Sequence, residues 1–519
     1  MAAAAPIARD ATVAVIGAGA MGSGIAQVAA LAGHPVRLFD TRLRAAENAR
    51  AAIGEALMAQ AAKGRIDAGA AETAVTRITP VHALGDCVSA RLVVEAVVED
   101  LAEKRTLLRE LEKIVTASTI LASNTSSLSI TALAKGLRFP GRVVGMHFFN
   151  PVPVMQLVEV VTGLATDEAI AESIAATAAA WGKTPVRARS TPGFIVNRCA
   201  RPFYGEALRL LAEGAADVPT IDALLRDAGG FRMGAFELMD LIGNDVNFAV
   251  TRTVWEACYH DPRYAPSVLQ EERVAAGYLG RKSGRGFYDY ADGATRPSAA
   301  TLGAQPAPKR VVVRGDLGIA APLVRRFDQA GIAVERADAR EHFPDGAIEL
   351  GDGILALSDG RTATERGRDT GVKRLVLFDL ALDYTRCARL GVARADSCSL
   401  STFDTVAGAL HAAGIAATPL DDVAGLVVLR TVAALAHEAS DAVTLGIASA
   451  RDVDTAMQKG VNYPRGPLAW ADEIGLARVR AVLINLAAHY GEDRYRLSPL
   501  IARRHAVGAP LAERAGAAT

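Results

Sequence analysis

Apolar and polar positions change period repeatedly along the first two hundred residues. A β-branched run, TVAVI at 12–16, passes through GAGAMGSG into AQVAALAG, where apolar residues recur on a helical spacing, and then into a second apolar run, PVRLF at 35–39. Short, nearly continuous apolar runs suit strands buried on both faces of a parallel sheet, and the longer amphipathic stretches between them suit crossover helices. RLVVEAVVED (91–100) predicts a strand, DLAEKRTLLRELEKIV (100–115) a helix, TILASNTSS (119–127) a strand, RVVGMHFFN (142–150) another, and 156–161 the next. The alternation predicts a doubly wound α/β Rossmann domain over 8–190.

Beyond it the period becomes helical. TPGFIVNRCARPFYGEALRLL reads as a helix opened by Pro192 and Gly193, and an α-helical domain is predicted over 191–290. Residues 193–243 and 425–475 repeat one another without a gap: GFIVNR faces GLVVLR, Glu206 faces Glu438, Asp222 faces Asp454 and Gly243 faces Gly475. A second copy of the helical domain therefore occupies 420–510, with Leu429 where the first copy has Asn197. Between the copies, 291–308 is a Pro/Ala/Gly/Thr-rich linker. A small Rossmann-like domain is predicted over 309–405, because RVVVRGDLGIAAPLVRRFDQAGIAVERAD again reads strand, turn, helix, strand and RLVLFDLALD (374–383) adds a later strand. Only Gly315 and Gly318 remain of its glycine loop, and Asp316 sits where a phosphate would approach, so no NAD is expected there.

Composition narrows the partners. A chain of 519 residues is long enough for several domains. Its 57 basic residues balance 57 acidic ones, which argues against nucleic acid or an anionic membrane surface. Five widely spaced cysteines without a CxxC pair suggest neither a disulfide framework nor a zinc site, and no metal is expected. The uncharged stretch 11–33 is long enough to span a membrane, but its glycines fall where strand gives way to helix. MAAAAPIARD lacks the basic-then-apolar order of a signal peptide, so a cytoplasmic protein is expected.

Gly17, Gly19 and Gly22 follow the G-x-G-x-x-G spacing between a strand and a helix. They permit, in turn, the tight turn, the approach of a pyrophosphate and close helix–strand packing. Asp40 ends the next strand, where an acid accepts from the adenosine ribose hydroxyls and repels a 2′-phosphate, so NAD is the expected cofactor; Arg42, two residues on, bears on the same choice. Glu99, Ser126, His147 and Asn150 all fall at carboxyl ends of predicted strands, the edge where such sheets bind ligands. A lone histidine on apolar ground is as a rule a satisfied core residue. His147 differs in sharing its edge with other polar groups.

GAGAMGSG, VEAVVEDLAEK, SNTSSL, HFFNPVPVMQLVEVV, TPGFIVNR and GRKSGRGFYDY occur in this order. Together they resemble the bacterial and mitochondrial L-3-hydroxyacyl-CoA dehydrogenase family over about residues 10 to 290. The layout with a duplicated helical domain resembles the long bacterial members of phenylacetate catabolism and β-oxidation. The resemblance implies that His147 is the general base and Glu159 its partner, and that Ser126 and Asn197 hydrogen-bond the substrate. It implies that Asn150 touches both the substrate and the nicotinamide end of NAD. Glu99, Lys104 and Lys282 would contact the cofactor and Lys63 the coenzyme A phosphates; one CoA-contact serine of the family is Ala56 here.

The implied reaction is NAD-dependent oxidation of an L-3-hydroxyacyl-CoA, with 3-hydroxyadipyl or 3-hydroxybutyryl as acyl groups. A histidine suits removal of the hydroxyl proton at neutral pH, and a carboxylate on its other nitrogen would orient it. Arg198 and Arg201 are candidates for a terminal carboxylate, and the site is expected between the first two domains. The helical copies are expected to pair within one chain as a pseudo-dimer, homo-oligomers remaining open. Two alternatives stand beside this reading: a gulonate 3-dehydrogenase-like sugar-acid oxidoreductase, and a non-catalytic NAD-binding protein.

Overall fold

The computed structural model describes residues 5–512; the first four residues of MAAAAPIARD lie outside them. Eight strands form the first sheet: β1 (Val13–Ile16), β2 (Val36–Phe39), β3 (Ile78–Val81), β4 (Leu92–Glu95), β5 (Ile120–Ser123), β6 (Val143–Phe148), β7 (Leu157–Thr162) and β8 (Thr184–Arg189). Their order is β3-β2-β1-β4-β5-β6-β7-β8. Pairing is parallel throughout except between β6 and β7. All four residues of β1 are buried, as an apolar run covered by helices on both faces must be. The first helix, Ala20–Leu31, and the helix Leu101–Ile114 fall where the periodicity predicts them.

Two strands are shorter than the sequence suggests, β4 ending at Glu95 and β5 at Ser123. The polar residues that follow bond to one another instead of extending the ladder: Thr125, Ser126 and Ser127 all donate to Glu99. Helices Ala45–Ala62 and Ala68–Arg77, with β3 after them, escape the sequence reading because their alanine-rich segments carry little amphipathic contrast.

The seven strands of the second sheet are β9 (Arg310–Arg314), β10 (Ala333–Ala337), β11 (Ala347–Leu350), β12 (Gly353–Leu357), β13 (Leu375–Phe378), β14 (Arg389–Arg394) and β15 (Ala416–Pro419), in the order β10-β9-β11-β12-β13-β14-β15. It is mixed, with β11 and β14 antiparallel to their neighbours on one or both sides. It does not stop at residue 405: the helix Leu400–Ala412 returns the chain to β15. In the loop after β9, Asp316 accepts from the Gly318 amide, so the chain's own carboxylate caps the turn. No described helix is long and apolar enough to cross a membrane.

The described chain makes two compact units. Residues up to Arg198 form one together with Leu445–Val461, and Cys199–Thr444 form the other together with the residues from Asn462 onward. The first unit thus includes the helix Ala450–Gly460 of the second helical copy, which packs on β7 and β8. Just before that helix, the Ile447 carbonyl accepts from the Arg189 amide at the end of the edge strand β8.

The duplication runs further upstream than the helical segment in which the sequence shows it. At the same constant offset, β7 (Leu157–Thr162) matches β14 (Arg389–Arg394), and the helix Glu168–Ala180 matches Leu400–Ala412 end for end. Gly193 and Phe194 (φ 74° and 46°) match Gly425 and Leu426 (φ 79° and 56°). His147 falls on Asp379 and Glu159 on Gly391 in this register.

Within the second unit, helix Arg201–Ala212 of the first copy packs on helix Val428–Thr444 of the second. Their contacts are reciprocal: Tyr495 Oη donates to Glu206 at 2.7 Å, and Tyr264 Oη donates to the matching Glu438 at 2.5 Å. Arg430, with no exposed side-chain surface, donates to Glu206 and Glu213 and to the hydroxyls of Tyr490 and Tyr495. A buried arginine is tolerated only with such partners, and removing it leaves Glu206 with Arg209 alone and takes from Glu213 its arginine partner. Arg430→Ala is expected to cost about 3 kcal/mol, read as a lower urea midpoint for the second unit.

Candidate functional site

The site is built on the carboxyl ends of the first sheet's strands. Gly17 has φ +101° and a side chain there would meet the Ala96 carbonyl at 2.6 Å, so only glycine makes this turn. A methyl on Gly22 would lie 1.7 Å from the Gly17 carbonyl oxygen, which fixes how closely the helix Ala20–Leu31 meets the loop. Gly19, its N-cap, has nothing within 4 Å of where a Cβ would stand. The helix start carries neither a side-chain cap nor an acid in its first turn. Amides at an open helix N-terminus favour a phosphate, so the loop fits the pyrophosphate of a dinucleotide.

Asp40 stands at the end of β2. Its Oδ2 accepts from the Ala18 amide at 2.7 Å and its Oδ1 from the Arg42 amide and guanidinium. The hydrogen bond from Arg42 chiefly holds its carboxyl down at about 2, so a negative charge stands at the end of β2. Arg42 is exposed and is tied to Asp40 through that pair.

Glu99 lies in the turn between β4 and the helix Leu101–Ile114. One of its oxygens accepts from Thr125 Oγ1, from the amides and hydroxyls of Ser126 and Ser127, and the other lies 3.4 Å from the Lys104 ammonium. Burial works to raise its carboxyl, but these donors and the Lys104 charge outweigh it and hold it below the usual carboxylate range. Lys104 is buried beside Glu99. It is 1% exposed, and its ammonium is taken by both oxygens of Glu95, at 3.1 and 2.9 Å, and by the Val97 carbonyl. A lysine this deeply buried needs such partners. Glu95, also bonded by the Ser123 hydroxyl, is missed in the sequence; its signal is an acid inside the apolar strand LVVE with a lysine nine residues on.

His147 and Glu159 are direct register partners across the antiparallel pair β6 and β7. Directly opposed side chains on one face of a sheet lie close enough to interact, and Nδ1 of His147 is 2.6 Å from Oε2 of Glu159. The other oxygen, Oε1, accepts from the amides of Ile195 and Val196 at 3.0 and 2.9 Å. Glu159 is fully buried. The segment expected to open a helix at Pro192 and Gly193 instead forms a tight turn with Phe194 at φ 46°, and the helix Val196–Cys199 begins only where Glu159 receives its amides. That turn delivers Asn197, whose Nδ2 donates to the Ser126 carbonyl at 3.4 Å.

His147, Glu159, Ser126 and Asn197 therefore meet in one unit. Phe149 and Phe194 flank the imidazole, with ring centroids 4.5 and 5.9 Å away, and Asn124 Oδ1 accepts from the Phe148 amide to fix the end of β6. Phe149, paired with Phe148, is expected from the sequence as an apolar wall beside the site; Asn124 and Phe194 are not singled out there. Asn150 is exposed just past β6. Lys63 is exposed at the end of the helix Ala45–Ala62, and Ala56 is exposed two turns before it. Lys282 belongs to the other unit, where it pairs with Asp245 at 2.6 Å. Arg198 and Arg201 do not offer open guanidinium groups. Both are buried, and Arg201 donates to Thr251 at 2.9 Å and lies over the Tyr204 ring.

Comparison with known proteins meets the same architecture. The 3-hydroxyacyl-CoA dehydrogenase NAD binding domain family matches residues 12–191, and the C-terminal domain of that family matches twice, over 193–290 and 425–514. The chain belongs to the 3-hydroxyacyl-CoA dehydrogenase family. Residues 355–423 match the family's 3-hydroxybutyryl-CoA dehydrogenase reduced Rossmann-fold domain, a span that holds β13, β14, β15 and part of β12 of the second sheet. The 3-hydroxyadipyl-CoA dehydrogenase of Escherichia coli (strain K12) is 41% identical over 496 residues, 95% of this chain and 97% of that protein. A crystal structure of 3-hydroxybutyryl-CoA dehydrogenase from Escherichia coli K12 matches with a TM-score of 0.87 at 40% identity, covering 96% of this chain and 98% of that one. The probable 3-hydroxybutyryl-CoA dehydrogenase of Bacillus subtilis (strain 168) is 43% identical over 276 residues, 53% of this chain and 96% of that protein. Members of this dehydrogenase family are oxidoreductases with an NAD-binding domain, and NAD is the cofactor its first domain is built for.

Glu159→Ala would leave the Ile195 and Val196 amides without their acceptor, at a cost of about 1–3 kcal/mol. Hydrogen–deuterium exchange over residues 193–200 is expected to speed up in the variant; unchanged protection there would show that the turn does not depend on this carboxylate.

Proposed function

We propose that this family member oxidises the 3-hydroxyl of an L-3-hydroxyacyl-CoA, with His147 as the base that takes the hydroxyl proton. The observation that carries the reading is the His147–Glu159 pair, whose carboxylate also holds the turn bearing Asn197. An ionised carboxylate only accepts, so the shared proton belongs to Nδ1 and the lone pair of Nε2 is left for the substrate. As the proton arrives on Nε2, the imidazolium charge is balanced by Glu159 at 2.6 Å. Bound NAD supplies the hydride acceptor. Gly17, Gly19, Gly22 and Asp40 would hold its pyrophosphate and adenosine ribose, and Asn150 its nicotinamide end.

Ser126 and Asn197 orient the hydroxyl or the thioester carbonyl toward His147, and their mutual link keeps the two donors at one spacing. Glu99 and Lys104 act behind Ser126, fixing the loop that carries it. Phe149 and Phe194 keep water from the reacting carbon. Lys63, exposed at its helix end, would meet the coenzyme A phosphates. The acyl groups proposed are 3-hydroxybutyryl and 3-hydroxyadipyl, in a cytoplasmic setting. We further infer that the two helical copies make within one chain the interface that separate chains would make as a dimer. Its reciprocal contacts are Tyr264 with Glu438 and Tyr495 with Glu206.

His147→Gln is expected to lower kcat for acetoacetyl-CoA reduction at least about 100-fold while NADH binding is retained; an unaffected rate would sink the base assignment. Rates with acetoacetyl-CoA and 3-oxoadipyl-CoA, measured beside gulonate with NAD, identify the substrate class. Turnover of gulonate alone would transfer the site to sugar acids. Asp40→Ala is expected to lower the kcat/KM ratio of NADH over NADPH about tenfold or more, because the fixed charge facing the 2′-position is gone.

A further inference from the structure

The helix Ala450–Gly460 belongs to the second copy by sequence, yet it packs on β7 and β8 in the unit that holds His147. Gly460 sets the closeness of that contact. A methyl there would stand 2.6 Å from Leu157 Cδ2 and 3.1 Å from Val196 Cγ2. Leu157 and Glu159 are two residues apart on one strand, so their side chains share a face. Val196 supplies one of the two amides that Glu159 accepts. The helix therefore covers the strand face and the turn between which the Glu159 carboxylate is held.

The duplication contains its own control. The matching helix of the first copy, Val218–Asp227, packs on β14 of the second sheet. There Gly391 stands at the Glu159 position, and Leu224 Cδ1 lies 3.4 Å from where a Cβ on Gly391 would be. The counterpart of Leu224 is Ala456, on the buried face of Ala450–Gly460, and the counterpart of Ala228 is Gly460. Where the strand carries glycine, the visiting helix carries leucine and alanine; where the strand carries glutamate, the helix carries alanine and glycine. Side-chain volume is exchanged across the contact, as close packing requires.

The turn beneath follows the same logic. In the second copy Asp379, at the His147 position, itself accepts from the amides of Val427, Val428 and Leu429, the first two of which match those on Glu159. One carboxylate anchors the turn there and no imidazole stands beside it. In the first copy the anchor also carries His147, which needs the added room.

We propose that Ala456 and Gly460 are positioning residues of the dehydrogenase site: their small size lets β7 and the 193–197 turn hold Glu159 at hydrogen-bonding distance from His147. The second copy, though without His147, Glu159 or Asn197 of its own, thereby completes the active site of the first. This rests on the function proposed above.

The test uses the full chain. Ala456→Leu installs the counterpart residue, Ala456→Ser is the conservative variant, and Leu224→Ala is the mirrored change in the other sheet. Ala456→Leu is expected to lower kcat with acetoacetyl-CoA and NADH about tenfold or more with KM for NADH unchanged. Ala456→Ser is expected to stay within about twofold of the parent, and Leu224→Ala to lower the melting temperature without lowering kcat. If Ala456→Leu does not fold, Gly460→Ala carries the same readout with a single added methyl. A parental kcat in folded Ala456→Leu or in Gly460→Ala, or a loss of activity in Leu224→Ala as large as in Ala456→Leu, overturns the proposal. A parent chain that oxidises no NADH with any 3-oxoacyl-CoA overturns the function itself, and this proposal with it.

Discussion

One carboxylate ties the first unit together. Glu159 faces His147 across the only antiparallel pair of its sheet and divides its two oxygens between the imidazole and the amides of Ile195 and Val196. An uncompensated charge at that depth would be costly, so the arrangement is held by its own hydrogen bonds. The consequence is geometric: the ring of His147, the carboxylate and the turn that presents Asn197 form one connected group. Asn197 closes it by donating to the Ser126 backbone, which Glu99 in turn holds.

The second sheet shows what the same strand and turn pattern does when that duty is removed. Asp379 takes over the turn amides, Gly391 replaces the glutamate and Leu429 replaces the asparagine. The backbone survives because the need of the turn for an acceptor is structural and independent of chemistry. The residues that the proposed reaction uses are among those that have changed.

Much of this was legible beforehand, for identifiable reasons. The glycine loop and Asp40 announce themselves because a dinucleotide demands particular residue types at short, fixed spacings. Ser126 and His147 are legible as polar groups at the carboxyl ends of predicted strands, whereas the roles of Glu159 and Asn197 are legible only through the family resemblance. The burial of Lys104 is not legible in the sequence, because its partner Glu95 lies inside a strand that reads as plain core. Arg198 and Arg201 look available in a helical sequence and are buried in the fold.

The sequence by itself determined many of the element types and the cofactor loop, which depend on residues near one another in the chain, and the existence of a duplication, which shows as a repeated residue pattern. The fold alone decided three things: that β6 and β7 pair in the register opposing His147 to Glu159, that Glu159 reaches a turn thirty-odd residues downstream, and that the helix Ala450–Gly460 lies on β7 and β8. Each depends on which surfaces of distant segments fit together. That is a matter of shape and volume, to which hydrophobic periodicity is blind because it records only that a face is buried and never against what.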